Sequence, residues 1–432
     1  MANPLQFSRR GFVHALAVIS AQGFSSVTNF LMGVLLARAC SRGQYGIYVQ
    51  CIAFLSIVSG IQLSLAAYPY TIRHPQLDGI GQKTYLGSIL VLQLGIVCMV
   101  ALLFLVGASG LSLLGGVPSV VGTIWVLSVA GPVFLMRDSA TAMILARLHI
   151  WRNFAMVVGG SVATITGLAA CYATGRLTVP VAFLVFAACM GIPIAFTVLL
   201  GLWSDARVCT ECFRGDIGQN WRIGKWLVAR TFANMAAVSI FPFLLGSFHG
   251  AQAAAIYGVC LTYANLLNPL IIGVARFFRP RAAHACAADP RRLQHMTVLC
   301  VCGLSLLLAV FLAVTIGWGG RLLTVMFGPK YQGLEKILVL AVVANSIGVL
   351  SGPLAIAIDV RERTGATLRG RLVGCAISVV LGVFLVKHFG PLGAVVALSL
   401  SWAGTGLYYL REFRLLGRLR QELHHEQAAA SA

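Results

Sequence analysis

Arg230 and Asn234 stand four residues apart in an otherwise apolar stretch, so a helix there carries both on one face. Arginine suits phosphate: its planar fork donates two parallel hydrogen bonds, and it stays charged throughout. Arg276, which also adjoins apolar sequence, is a second group of this kind. The competing role for both is to snorkel toward headgroups. Three further polar stripes lie within apolar runs: Gln22, Ser25, Ser26 and Asn29; Ser59 and Gln62; and Thr262, Asn265 and Asn268. Their helical spacing fits either the lining of a shared cavity or interhelical hydrogen bonds in a sealed bundle. Adjacent Arg137 and Asp138 close another apolar run. Asp138 is the one carboxylate positioned to exchange a proton or Na⁺ inside a membrane, and its alternative role is a structural ion pair at the interface.

Other chemistry is poorly represented. Cys209 and Cys212 make a C-x-x-C, but no second cysteine pair and no nearby histidine completes a metal set. The nine histidines are dispersed, and no H-E-x-x-H, G-x-S-x-G or Gly-rich phosphate loop with its lysine occurs. The expectation is therefore a non-enzyme with no cofactor and no metal.

The elements that must hold these residues are twelve apolar stretches, near 11–37, 45–68, 85–108, 117–136, 153–174, 178–203, 226–247, 252–275, 297–317, 334–358, 367–386 and 391–410. A bilayer core about 30 Å thick takes about 20 helical residues to cross, and only helices or closed barrels satisfy their backbone there. Mean hydropathy is +0.88, with 59% hydrophobic and 10% charged residues, against about 25% charged in soluble domains. The fold class expected is all-α integral membrane. The net charge of +20 sits in loops, so it reads as an orientation signal rather than nucleic-acid binding. The side bearing both termini collects 25 of the 32 Lys and Arg, which predicts cytoplasmic termini and an even number of spans. The first apolar run, of span length, is read as a retained span rather than a cleaved leader.

The longest polar interruption separates six spans from six. The expected organisation is an N-terminal six-helix lobe (1–203), a cytoplasmic linker (204–225), a C-terminal six-helix lobe (226–411) and a basic cytoplasmic tail (412–432) lying on the inner leaflet. Two halves of parallel topology suggest a duplicated transporter with a pseudo-two-fold axis. No Asp or Glu occurs over residues 1–77 or 217–288, which hold the first two spans of each half. A cavity built from them would be electropositive and would favour an anionic substrate.

Five segments carry a family resemblance. Leu35-Leu36-Ala37-Arg38 followed by Gln44-Tyr45-Gly46-Ile47-Tyr48 resembles the opening of the Wzx-like polysaccharide biosynthesis flippases. These belong to the multidrug/oligosaccharidyl-lipid/polysaccharide (MOP) exporter superfamily. Ala255-Ile256-Tyr257, Phe327-Gly328-Pro329-Lys330-Tyr331 and Phe389-Gly390-Pro391-Leu392-Gly393-Ala394 agree in order and spacing. The resemblance implies a MATE-like arrangement of two six-helix lobes around a V-shaped cavity that opens to each side in turn. It implies flipping of an undecaprenyl-pyrophosphate-linked oligosaccharide across the bacterial inner membrane, with cationic residues near the diphosphate. Arg230 and Arg137 are the nearest carry-overs. The partners implied are the lipid-linked anionic oligosaccharide, membrane lipids and the polysaccharide polymerase and export machinery, with no nucleic acid. Two rivals remain. A MATE-type drug/cation antiporter needs a membrane-buried carboxylate, for which Asp138 is the candidate. An O-antigen ligase or polymerase usually has a long outer loop, whereas the longest loop expected here is cytoplasmic.

Overall fold

The computed structural model describes residues 9–199, 203–288, 290–361 and 363–430, and every regular element among them is helical. The first stretch holds α1 (Arg9–Ala39), α2 (Arg42–Gln62), α3 (Tyr68–Arg73), α4 (Gly79–Leu113), α5 (Pro118–Ala146), α6 (Ile150–Ala173) and α7 (Val179–Thr197). There follow α8 (Thr210–Ser239), α9 (Phe241–His249), α10 (Ala251–Ala264), α11 (Asn268–Ala288), α12 (Pro290–Phe327), α13 (Glu335–Asp359) and α14 (Thr364–Ala430).

Eleven helical runs are long and apolar enough to cross a membrane. The last of them, Gly365–Leu415, has 51 residues, about 75 Å at about 1.5 Å per residue, far more than one crossing. It breaks at Gly390, whose φ of +54° and ψ of −133° are not helical. Tyr409 donates its hydroxyl to Thr367 O (2.9 Å), and Ser401 donates to Gly374 O (2.8 Å). Those two registers run antiparallel, so α14 is a hairpin of two passes. The twelve stretches read from sequence thereby match eleven continuous runs.

Large apolar side chains point outward along the spans, for example Leu102, Leu103 and Val106 on α4 and Leu306 and Val310 on α12. Helices that bury one side and present aliphatic side chains on the other fit a hydrocarbon solvent.

The chain divides into two compact units, Met1–Met235 and Ala236–Ala432. In the first, α1 packs on α6, α6 on α7, α5 on both α4 and α7, and α2 on α5. A Cβ at Gly160 would run into the Met190 side chain, so glycine is what lets α6 and α7 approach. Tyr70, Tyr85, Met143, Met156, Phe186 and Met190 share the buried core there. In the second unit, α13 packs on α12 and α14, and α9 and α10 pack on each other and on α14.

The motif residues behind the family resemblance start and seat helices. Ser41 and Gln44 form a reciprocal capping box at the start of α2, with Gln44 N–H donating to Ser41 Oγ (3.3 Å) and Ser41 N–H to Gln44 Oε1 (3.1 Å). Tyr45 and Tyr48, with ring centroids 5.5 Å apart, are buried beneath it. Gly328, at φ +98°, turns the chain after α12 so that Phe327 and Tyr331 bury edge-to-face.

Candidate functional site

In the first unit, the polar groups gather around an irregular stretch. Between α2 and α3 the helix widens into one π-type turn, Leu63–Ala67, a local rewinding often found at functional sites. Ser59, one turn before it, donates to Asp138 Oδ2 (3.1 Å), and Arg137 Nε donates to Asp138 Oδ1 (3.0 Å). The Arg137 side chain is 8% exposed and that of Asp138 31%. The Arg137 guanidinium lies 4.9 Å from the Phe134 ring centroid and 5.6 Å from that of Phe186. Its buried Nη1 has no hydrogen-bond partner among the described residues, a donor left over for a ligand or water. Gln62 Nε2 donates to Gln93 Oε1, leaving Gln62 Oε1 and Gln93 Nε2 buried and unpaired. Tyr68, just past the wide turn, lies within electrostatic reach of both Asp138 and Arg230.

Helix α8 meets this cluster with one side and exposes the other. Ser64 Oγ and Thr231 Oγ1 share a hydrogen bond of 2.9 Å, a Cβ at Gly224 would approach Ser64 O, and one at Gly60 would approach Thr231. Trp221, Arg222, Lys225, Trp226, Ala229 and Arg230 are exposed, and at 100° per residue they share one half of the helix. Trp221 and Trp226 are 56% and 65% exposed. The Lys225 ammonium sits 5.5 Å from the Trp226 ring. The exposed side is thus a stripe of two indoles and three cations, while Asn234 is half-buried toward the packed side.

The remaining sequence candidates are dispersed. Gln22 is half-buried and Asn29 exposed on α1. Asn265 is exposed in the second unit, where Asn265–Leu267 form a single tight turn between α10 and α11. Arg276 belongs to α11, but its side chain lies outside the described residues, as do the side chains of the basic tail beyond Leu415. Four groups of consequence escaped the sequence reading: Gln93, Tyr68, Asn345 and Asp216. Gln93 was legible as a lone amide inside the apolar run of α4. Asn345, legible in the same way inside the apolar run of α13, donates Nδ2–H to Ala264 O at the end of α10 (2.8 Å), a partner no local signal names.

The interval 204–225, expected as a polar linker with span 7 opening at 226, is helical from Thr210 onward. Arg230 therefore sits well inside a helix rather than at its mouth. Side chains that the hydropathy pattern cannot see hold this extension to the first unit. Arg73 Nη1 reaches Asp216 Oδ1 (3.3 Å), Ser88 donates to Asp216 Oδ2 (2.8 Å), and Tyr85 donates to Asn220 Oδ1 (2.6 Å). Upstream, Arg147 pairs with Asp205, and Arg207 N–H donates to Lys83 O (3.0 Å). The hydrogen bond from Arg147 holds the Asp205 carboxyl below its ordinary range. Burial, with Arg147 and Arg152 nearby, lowers the pKa of the His149 imidazole. Among the described residues no group of three or more His, Cys, Asp or Glu is placed to hold a metal ion.

No family model and no curated protein matches the sequence. Solved structures do match in fold. An inward-facing multidrug resistance MATE family transporter of the MOP superfamily superposes with a TM-score of 0.71 at 12% identity, over 95% of this chain and 99% of that one. An outward-facing MATE family transporter of the same superfamily gives 0.63 at 11% identity, over 95% of each chain. The lipid II flippase MurJ, in an inward closed conformation, gives 0.67 at 10% identity, over 92% of this chain and 87% of that one. Helix order, the paired passes of α14 and these superpositions agree: the chain is a multi-span helical membrane protein with the fold of the MOP superfamily.

Proposed function

We propose that this protein is a Wzx-like flippase that carries a lipid-linked oligosaccharide diphosphate from the inner to the outer leaflet of a bacterial inner membrane, supplying lipopolysaccharide or exopolysaccharide export. Structures with this fold include both inward- and outward-facing MATE transporters, which supports alternating access as the working principle. The observation that carries the substrate class is the exposed aromatic and cationic stripe along α8. Arg222, Lys225 and Arg230 suit a diphosphate, and Trp221 and Trp226 offer flat apolar faces to sugar rings. Residues 217–288 themselves contain no carboxylate to attract a cationic drug. Such a stripe lowers the barrier to moving a charged headgroup through hydrocarbon, and no covalent step is needed.

Arg137, Gln22, Asn29, Asn234, Asn265 and Arg276 are proposed as further contacts, and the protein is proposed to sit with both termini in the cytoplasm beside the polymerase and export machinery. A drug/cation antiporter is the second reading, favoured by Asp138 in a span of the first unit. Against it, both Asp138 oxygens already accept hydrogen bonds, from Ser59 and Arg137. In cells whose polysaccharide export depends on this protein, Arg230→Ala should cause undecaprenyl-pyrophosphate-linked repeat units to accumulate on the cytoplasmic leaflet. Unchanged export by a normally expressed variant removes Arg230 from the site.

A further inference from the structure

We propose that Cys209 and Cys212 form a redox-active dithiol, which exchanges with small-molecule disulfides and closes to an intramolecular bond at the start of α8. The site is independent of the transported substrate. Its Sγ atoms lie 2.6 Å apart, and the Cys212 N–H donates to Cys209 Sγ (3.3 Å). Cys212 is exposed and Cys209 half-buried, so a soluble reagent reaches the pair. Cys209 immediately precedes the first turn of a 30-residue helix, where unpaired backbone N–H groups stabilise an anion. Its thiol is held below the ordinary range, chiefly by the Cys212 side chain, and the thiolate is the nucleophile in exchange.

A soft-metal site fits less well. Structural zinc takes four ligands, and the described residues place no third His, Cys, Asp or Glu with the pair. The backbone is fixed on both sides of the thiols, by Arg207 N–H on Lys83 O before them and by Asp216 with Arg73 and Ser88 after them. Closure therefore calls for rotation of two side chains rather than rearrangement of the chain.

The exchange balances with an external disulfide R–S–S–R as oxidant. The Cys209 thiolate attacks one sulfur, the S–S bond breaks, one R–S⁻ leaves and a mixed disulfide forms on Cys209. The Cys212 thiolate then attacks the Cys209 sulfur, the internal bond forms and the second R–S⁻ leaves. Two cysteine thiols are oxidised, one external disulfide is reduced to two thiols, and the two cysteine protons end on the released thiolates.

The test uses purified full-length protein, oxidised glutathione as the disulfide, an alkylating quench and trypsin. Cleavage after Arg207 and Arg214 frees residues 208–214, which contain both cysteines and no other. In the wild type this peptide should become the internally bonded, unalkylated form. Cys212→Ser, which lacks the resolving thiol, should instead retain glutathione on Cys209 at a level about tenfold above the wild type. Cys209→Ser keeps a side chain able to cap α8, so neither variant puts folding at stake. The proposal is overturned if the wild-type peptide carries two glutathiones, or stays fully alkylatable while other exposed thiols of the same sample react. It is also overturned if added Zn²⁺ binds the pair stoichiometrically and blocks exchange until chelated.

Discussion

At the scale of single residues, the account turns on cations and on which groups face them. Arg230 was legible from sequence because an arginine inside an apolar run is costly and so needs a reason. Its neighbours on the exposed side of α8 were not, because Trp221, Arg222 and Lys225 lie in the interval whose hydropathy reads as a loop, and Trp226 opens the apolar run as one more large apolar side chain. Arg230→Ala should slow flipping of a diphosphate-linked oligosaccharide about tenfold, the loss of about 1.4 kcal/mol of transition-state binding. Arg230→Lys should recover part of that rate, since it keeps the charge but loses the fork. Flipping rates in proteoliposomes check both. The Arg147–Asp205 pair gives a pH signature. Asp205 is held below its ordinary value of 3.8, so its stabilisation is present above that value and is lost as pH falls through the lower, folded value. Asp205→Asn should therefore lower the melting temperature at neutral pH, with the difference from wild type beginning to shrink below about pH 3.8 and vanishing only below the lower, folded value. Parallel thermal melts in detergent measure it.

At the scale of elements, the resemblance motifs proved to be caps and buried aromatics. Gln44 closes a capping box, Tyr45 and Tyr331 are fully buried, and Gly390 makes the turn within α14. They specify where helices begin, which is why they pointed to a fold and not to a substrate. Hydropathy located the spans well, because helices such as α4 and α12 carry long, strongly apolar runs. It began the helix of span 7 too late, at 226 instead of Thr210, because the start of α8 is held by Asp216, Asn220 and a Gly224 contact, each invisible to a local average. Helix approach gives a paired prediction. Gly160→Leu should wedge α6 from α7 and cost about 1–3 kcal/mol, whereas Gly159→Leu, with open space around the new side chain, should be near neutral. Thermal unfolding of the two neighbours side by side reads the contrast. Asp216→Asn should free the start of α8 from Arg73 and raise protease cleavage at Arg214, with little change inside the spans.

At the scale of the whole molecule, the class was the most legible property. Charge content of 10% and twelve apolar stretches leave little sequence for a soluble domain, and the fold matches MATE transporters and MurJ over more than nine-tenths of the chain. The basic bias toward the side of the termini predicts that reporters fused at either end are active only in the cytoplasm. What sequence could not assign was the grouping of polar side chains, because that depends on which helix faces which. Ser59 meets Asp138 across 79 residues, and Gln62 meets Gln93 across 31. The central claim is that this molecule moves an anionic, sugar-bearing headgroup and not a cation. Its most direct test is proteoliposomes loaded with an undecaprenyl-pyrophosphate-linked oligosaccharide, following how much becomes accessible to an impermeant glycosidase. The account predicts protein-dependent exposure of the inner pool that slows about tenfold in Arg230→Ala. Absence of flipping, together with proton- or sodium-driven extrusion of a cationic dye that is lost in Asp138→Asn, would contradict it.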